Sequence, residues 1–283
     1  MQLGILSFNT EYTMLADELA RACEERGFES LWFPEHTHIP ASRLTPFPAG
    51  GELPTEYIHM SDPFVGLAAA AAVTTTLKLG TGVSLVTEHE PLAQAKRIAS
   101  LDRLSKGRFL FGVGAGWNRE EMKNHGTPPK RRWQVLTEHL EAMKALWTQE
   151  EASYHGEFVN FERVWSYPKP LTKPHPPILL GSMSSRRARR LVVELCDGWF
   201  PIEPLIEDMP ATIAELHEHA QQAGRDPASI PISFFCVDAP DLKRLERYRE
   251  LGGVRTVVRA PTEGREVILP FLDRYAEIAH RLG

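Results

Sequence analysis

The stretch GRFLFGVGAGWNREE, residues 107–121, joins an apolar strand to a glycine-rich turn and then to a charged segment with helical propensity. A turn of this kind often holds a phosphate, and the first candidate is the dinucleotide fingerprint Gly-x-Gly-x-x-Gly. Trp117 stands where the third glycine of that fingerprint belongs. No acidic residue ends a following strand at the expected distance, because residues 130–147 are predicted to form a helix. The stretch therefore argues against a dinucleotide-binding fold.

The same unit of a strand followed by a helix recurs along the chain. Strands are predicted over residues 2–8, 30–34, 77–83, 108–113, 178–181, 198–201, 230–237 and 254–259. Helices are predicted over residues 14–26, 62–74, 91–105, 130–147, 185–195, 206–223, 240–251 and 263–281. Since each helix returns the chain in the same direction, the strands are parallel. Eight such units favour a closed (β/α)8 TIM barrel over a long doubly wound sheet. Residues 1–283 are predicted to form one barrel domain with loop insertions at about 35–61 and 148–177.

Composition narrows the class of protein. The chain has 283 residues, 42% of them hydrophobic and 24% charged, which is ordinary for a globular protein with one large core. A formal net charge of −5 argues against a nucleic-acid surface. Cys23, Cys196 and Cys236 lie far apart, which predicts buried thiols in a reducing compartment. With no signal peptide visible and no apolar run long enough to span a bilayer, we expect a cytoplasmic protein with a small-molecule substrate. We expect no nucleic-acid or membrane partner. The sequence leaves open whether the protein forms a homodimer.

Motifs at the ends of the predicted strands occur in an order that resembles a known family. They are WFPEH at 32–36, LGTGV at 79–83, the stretch 107–117, PILLGS at 177–182 and DGWF at 197–200. Together they resemble the luciferase-like monooxygenase superfamily, and in particular its coenzyme F-420-dependent oxidoreductases. The resemblance covers most of residues 1–202. It implies a barrel enzyme that transfers a hydride between F-420, a deazaflavin, and a small organic substrate. FMN is the alternative cofactor, in a flavin monooxygenase of the same superfamily.

The resemblance implies that the loop before the fifth predicted helix holds the phosphate of the cofactor. Its residues are Gly181, Ser182, Met183, Ser184, Ser185 and Arg186. The loop opens a helix, and the N-terminus of a helix stabilises an anion. The alternative is an ordinary serine cap on that helix. Arg186 is the arginine nearest the loop, and the arginines that follow it at helical spacing are expected to face solvent.

Two further strand ends are implied to contact the cofactor. Their residues are Thr81, Gly82, Val83, Ala115, Gly116 and Trp117. Gly82-Val83 stands where members of the family often have a non-proline cis peptide that supports the ring, and the alternative is a strand glycine at a bulge. The glycines before Trp117 would let the backbone approach the ribityl-phosphate side of the cofactor. The alternative is a tight turn between strand and helix that holds no ligand. Trp117 replaces a glutamate of F-420-dependent sugar-phosphate dehydrogenases, which argues against a sugar-phosphate substrate.

His36, at the end of the second predicted strand, is the predicted catalytic residue. It would handle a proton as hydride moves, whereas the alternative is a hydrogen-bonded core histidine. Glu35 could orient His36 or bind substrate, although alternation along an extended chain turns it the other way. His36 and His38 are spaced like a metal pair, but predicted strands five and six end without further ligands, so no metal is predicted. A cofactor-binding protein without turnover is the remaining alternative.

Overall fold

The computed structural model describes residues 1–183, 185–203 and 205–282, and eight parallel strands among them close into a barrel. The strands are β1 Gln2–Leu6, β2 Ser30–Phe33, β3 Lys78–Thr81, β4 Ser84–Leu85, β5 Phe109–Gly114, β6 Ala152–His155, β7 Asn160–Val164, β8 Ile178–Ser182, β9 Gly198–Glu203, β10 Ile232–Cys236 and β11 Gly253–Arg259. The barrel comprises β1, β2, β3, β5, β8, β9, β10 and β11, and β11 pairs with β1 to complete it. The two-residue strand β4 continues beside β5. The predicted TIM barrel is confirmed.

Helices surround the barrel. They are α1 Ala16–Glu25, α2 Pro63–Val73, α3 Pro91–Leu104, α4 Arg119–Asn124, α5 Arg132–Thr148, α6 Arg186–Leu195, α7 Met209–Gln222, α8 Leu242–Glu250 and α9 Arg265–Leu282. All eight predicted helices are present, and α4 is an additional short one. Asp62 caps α2 by accepting two backbone N–H bonds, and Pro63 is the first helical residue. None of the described helices has both the length and the apolar character needed to cross a membrane.

A tryptophan occupies the middle of the barrel lumen. Trp32 is fully buried, its ring lies 4.9 Å from that of Phe200, and its Nε1 donates to Ser30 Oγ at 2.8 Å. The lumen cluster consists of Leu6, Phe8, Trp32, Leu110, Leu179, Phe200 and Val257. A Cβ added at Gly80 would lie 2.2 Å from Trp32 Cε3. The indole therefore fits because the neighbouring strand presents no side chain at this level.

The three cysteines are free and buried, as the sequence predicts. Burial raises the pKa of the thiols of Cys196 and Cys236 to about 12 and that of Cys23 further still. The thiolate is the reactive form of cysteine, so these side chains act as small hydrophobic core residues.

The two predicted insertions lie outside the barrel. Residues 35–61 follow β2 and so lie at the carboxyl end of the barrel, where Glu120 Oε2 of α4 accepts the backbone N–H of Thr45 at 2.8 Å. Residues 148–177, predicted as a loop, contain the antiparallel hairpin of β6 and β7. Glu138 of α5 holds this hairpin by accepting the N–H of Phe158 at 2.7 Å. The prediction missed the hairpin because its strands are short and mostly exposed, with little apolar alternation.

Candidate functional site

The floor of the site lies where β3 passes into β4. The peptide between Gly82 and Val83 is cis, at the position implied by the resemblance. A Cβ at Gly181 would lie 2.4 Å from Val83 Cγ1, and one at Gly114 would lie 2.7 Å from Val83 Cγ2. A Cβ at Gly82 would lie 2.8 Å from Leu6 Cδ1. The glycines thus let the Val83 side chain sit between β5 and β8 at the carboxyl end of the lumen.

Three other residues predicted to contact a cofactor make internal contacts. Thr81 is fully buried, and its hydroxyl donates to the carbonyl of Gly112 at 2.7 Å. The carbonyl of Ala115 accepts from Thr87 Oγ1 at 3.2 Å. Gly116 has a φ of +73°, which favours glycine in this turn. The Thr81 hydrogen bond and the Gly116 backbone conformation explain these two residue types without a ligand, and cofactor contact at all three positions stays a prediction.

His36 is held from both sides of its imidazole ring. Its Nδ1 lies 2.7 Å from Glu121 Oε2, and its Nε2 lies 3.2 Å from Trp117 Nε1. Since an indole N–H can only donate, Nε2 is the acceptor, and the proton of the neutral ring is on Nδ1, where Glu121 accepts it. Glu121 is fully buried. The arrangement is that of a positioned base with a carboxylate behind it.

The insertion 35–61 covers His36 with aromatic side chains. The ring of Tyr57 lies 5.6 Å from that of His36, and Phe47 lies 5.3 Å from Tyr57 and 5.9 Å from Trp117. The guanidinium of Arg43 lies 5.9 Å from the Trp117 ring, and its buried Nη1 has no partner within the described part of the chain. The His36 ring therefore lies beneath an aromatic cover that also carries a positive charge.

Glu35 points away from His36, as strand alternation predicts. Its Oε2 accepts from Ser84 Oγ and from the backbone N–H of Leu85, both at 2.7 Å, and its Oε1 lies 2.9 Å from His89 Nε2. Burial raises the pKa of Glu35, but the hydrogen bonds and the charge of His89 outweigh it and hold the pKa below its ordinary value. Glu35 is therefore an ionised group that ties β4 to the end of β2.

A third buried carboxyl group in this region belongs to Glu88. Its side chain is fully shielded from solvent in the short 3-10 turn Val86–Glu88. Burial raises the pKa of Glu88, and the nearby carboxyl groups of Glu121 and Glu35 raise it further. The closest basic group is His125, whose Nε2 lies 3.9 Å from Glu88 Oε2. Neither Glu88 nor Glu121 is among the residues that the sequence predicts for the site.

The predicted phosphate loop lies between β8 and α6. Ser185 caps α6, since its Oγ accepts the N–H of the third helical residue at 3.1 Å. Ser182 is buried, and its Oγ accepts from Trp199 Nε1 at 3.3 Å. Met183 is half exposed, and Ser184 lies outside the described residues. The cap alternative is thus present at Ser185, and the hydroxyl protons of Ser182 and Ser185 have no acceptor among the described residues.

Positive charge collects beside the N-terminus of α6. Burial lowers the pKa of Arg132, and the charges of Arg119 and Arg187 lower it further, so the three guanidinium groups lie near one another. Arg186, the arginine singled out from the sequence, lines a surface cavity of about 500 Å³ together with Arg187 and His219. Helices α4, α5 and α6 therefore bring cations together where an anion would also meet a helix dipole.

The two histidines considered as a metal pair take different partners. His38 lies near the surface, where its Nδ1 is 2.9 Å from Thr37 Oγ1 and its Nε2 accepts from Asn124 Nδ2 at 2.8 Å. His36 is directed instead to Glu121 and Trp117. Among residues 1–183, 185–203 and 205–282, no three His, Cys, Asp or Glu side chains form a group that could hold a metal ion.

Comparisons with known proteins agree with this architecture. A family model described as luciferase-like monooxygenase matches residues 10–280. An uncharacterized protein of Mycobacterium tuberculosis (strain ATCC 25618 / H37Rv) is 39% identical over 279 residues, 98% of each chain. The FMNH(2)-dependent dimethylsulfone monooxygenase of Pseudomonas putida is 33% identical over 137 residues, 47% of this chain and 38% of that protein. An F-420-dependent secondary alcohol dehydrogenase, solved with an F-420–acetone adduct, superposes with a TM-score of 0.78 at 18% identity, over 100% and 99% of the two chains.

Proposed function

The chain belongs to the luciferase-like monooxygenase family of enzymes, and we propose that it transfers a hydride between coenzyme F-420 and a small organic substrate. The observation that carries the proposal is His36, whose Nε2 lone pair lies at the carboxyl end of the barrel with a buried carboxylate behind the ring. In the oxidising direction, the substrate hydroxyl takes the place of the Trp117 N–H as the hydrogen-bond donor to Nε2, and Nε2 then takes its proton as hydride leaves the carbon that bears the hydroxyl. When bound, the cofactor supplies the hydride acceptor.

The side chains at the barrel mouth fit both ends of a deazaflavin or a flavin. Val83 and Phe235 remain partly exposed next to the buried ring of Phe200, and an apolar surface of this kind suits a planar ring system. At the other end, Ser185 and the first turn of α6 offer hydroxyl and backbone donors to a phosphate, with Arg187 close by. These residues would hold the cofactor, and the proton chemistry stays with His36.

The F-420 assignment is supported by the length of one connection. In the sequence, the absence of a long insertion near strand seven favours the F-420-dependent group, and in the structure only residues 237–241 separate β10 from α8. The second candidate is an FMN-dependent monooxygenase, which the 33% identity to the dimethylsulfone enzyme supports. F-420 and FMN have the same ribityl-phosphate end, so the residues that would hold the phosphate do not distinguish the two cofactors. A binding measurement must separate them.

Titration of the purified protein with F-420 and with FMN, at equal salt, tests the proposal. We expect the dissociation constant for F-420 to be the smaller one, and oxidation of a small secondary alcohol to be detectable with F-420 as the acceptor. A smaller dissociation constant for FMN would reverse the ranking in favour of the monooxygenase. Absence of binding by either cofactor would refute both candidates.

A further inference from the structure

Two carboxyl groups lie behind His36, and the proton transfer described above uses only one of their four oxygens. Glu121 Oε2 accepts from His36, whereas Glu121 Oε1 and both oxygens of Glu88 are buried without a conventional partner within the described residues. Both side chains are fully shielded from solvent. Buried polar atoms without partners are rare in proteins, so three in one place require an explanation.

One proton pairs two of these three atoms, Glu121 Oε1 and one oxygen of Glu88. The carboxyl groups of Glu88 and Glu121 lie close enough to interact directly. Two buried carboxylates at such a distance repel each other and cannot both stay ionised, whereas a carboxylic acid can donate its O–H to a neighbouring carboxylate. Glu121 Oε2 already accepts the Nδ1–H of His36, so Glu121 has a donor of its own. Glu88 receives no comparable donor in the described structure. The proton therefore belongs on Glu88.

We propose that Glu88 is a neutral carboxylic acid at neutral pH, which donates its O–H to Glu121 Oε1 and so positions Glu121 behind His36. The donors then form one directed series, in which Glu121 accepts from both Glu88 and His36, and His36 accepts from Trp117. Glu88 is a positioning residue, because it acts on the reaction through Glu121. Its kinetic consequence rests on the function proposed above, but its protonation state does not.

The other titratable groups around Glu88 agree with a neutral acid. Glu35 is ionised and held by its own donors, so it adds negative charge nearby. Burial lowers the pKa of His125, and the nearby His38 lowers it further. His125 is therefore a neutral imidazole at neutral pH and not a counter-ion for Glu88. His89 is directed to Glu35. No described cation therefore compensates an ionised Glu88 at hydrogen-bonding distance.

Infrared spectroscopy of the purified protein tests the protonation state without cofactor or substrate. At neutral pH we expect the C=O stretch of a protonated carboxylic acid, which shifts in D2O and is lost in Glu88→Gln. Glu35→Gln is the matched control, because it removes a buried but ionised carboxyl group and should retain the band. A wild-type spectrum without the band, or a band that survives Glu88→Gln, would overturn the proposal.

Nitrogen-15 spectra of labelled histidine test the positioning role, with the His36 signals assigned from a His36→Gln variant. Gln at position 88 still offers an N–H donor to Glu121, so Glu88→Gln should keep the Nδ1–H tautomer of His36. Glu88→Leu has no donor and should shift the His36 signals. With a substrate in hand, Glu88→Leu should lower kcat about tenfold with KM nearly unchanged, and Glu88→Gln should restore most of it. Identical His36 spectra in both variants would reduce Glu88 to a space-filling residue, whereas failure of the F-420 proposal would show only in the cofactor titration.

Discussion

Glu88→Gln should change how the stability of the fold depends on pH. Burial, with the carboxyl groups of Glu121 and Glu35 nearby, raises the pKa of Glu88 from 4.5 to about 9. A carboxyl group with a raised pKa in the folded chain contributes its full stability below its unfolded pKa. That stability is lost as pH rises toward the folded pKa, because the unfolded chain releases a proton that the folded chain retains. Glutamine has no such proton, so the variant lacks this dependence.

The magnitude follows from the window between the two pKa values. From about pH 5 to about pH 8, Glu88 is ionised in the unfolded chain and neutral in the folded one. Each pH unit in this window lowers the free energy of unfolding of the wild type by about 1.4 kcal/mol relative to the variant. The difference in free energy of unfolding between the wild type and Glu88→Gln should therefore change by up to about 4 kcal/mol over the window. The variant gains relative to the wild type toward the alkaline end.

Urea unfolding of both proteins at several pH values and constant salt measures this difference. Glu52→Gln is the control, because it makes the same chemical change at an exposed position and should give a nearly constant difference from the wild type. If the difference between wild type and Glu88→Gln is also constant across the window, Glu88 titrates normally in the folded chain and the electrostatic argument is refuted.

Three other changes test separate parts of the structure. His36→Ala should lower turnover by ~10²–10⁴-fold and leave cofactor affinity within a few-fold, so unchanged turnover would make His36 a structural residue. The double change Ser182→Ala, Ser185→Ala should weaken cofactor binding about tenfold, seen by titration, and cost about 1 kcal/mol of stability from the lost cap. A cofactor without its phosphate should bind equally to both proteins, and a stability loss alone would remove the loop from the site. Gly80→Ala should lower the free energy of unfolding by about 1–3 kcal/mol, because the new Cβ meets the Trp32 ring, and a melting temperature equal to that of the wild type would show that the lumen repacks.

The barrel could be predicted because its strands are buried on both faces and read as short apolar runs bounded by glycine or proline. The strand predicted over residues 30–34, for example, is Ser30–Phe33 in the structure. Helix α4 was not delimited from the sequence, since its six residues are too few to show helical periodicity. Local pattern therefore predicted the repeating units and missed the short elements that connect them.

The carboxyl groups behind His36 could not be predicted, because local rules give Glu121 a different role. Asn118 and Glu121 have the spacing of a capping box, in which the glutamate would reach back to the N–H of the capping residue. Asn118 does accept the N–H groups of Glu120 and Glu121, but the Glu121 side chain turns to His36, 85 positions earlier in the chain. The contact forms because β3 pairs with both β2 and β5, so the carboxyl ends of those two strands lie one strand apart in the folded sheet.

The alternating glycines of β5 also have their explanation in the closed barrel. A Cβ at Gly112 would lie 1.9 Å from the carbonyl oxygen of Thr81, and one at Gly114 would lie 2.7 Å from Val83 Cγ2. Leu110, two residues earlier, lies in the lumen cluster, and residues two apart share one face of a strand. A spacing of two is therefore what close approach between β5 and β3 requires, whereas the dinucleotide fingerprint needs its third glycine for helix packing. The spacing that does not match the phosphate motif is thus explained by packing between β5 and β3, and the phosphate site before α6 stays a prediction.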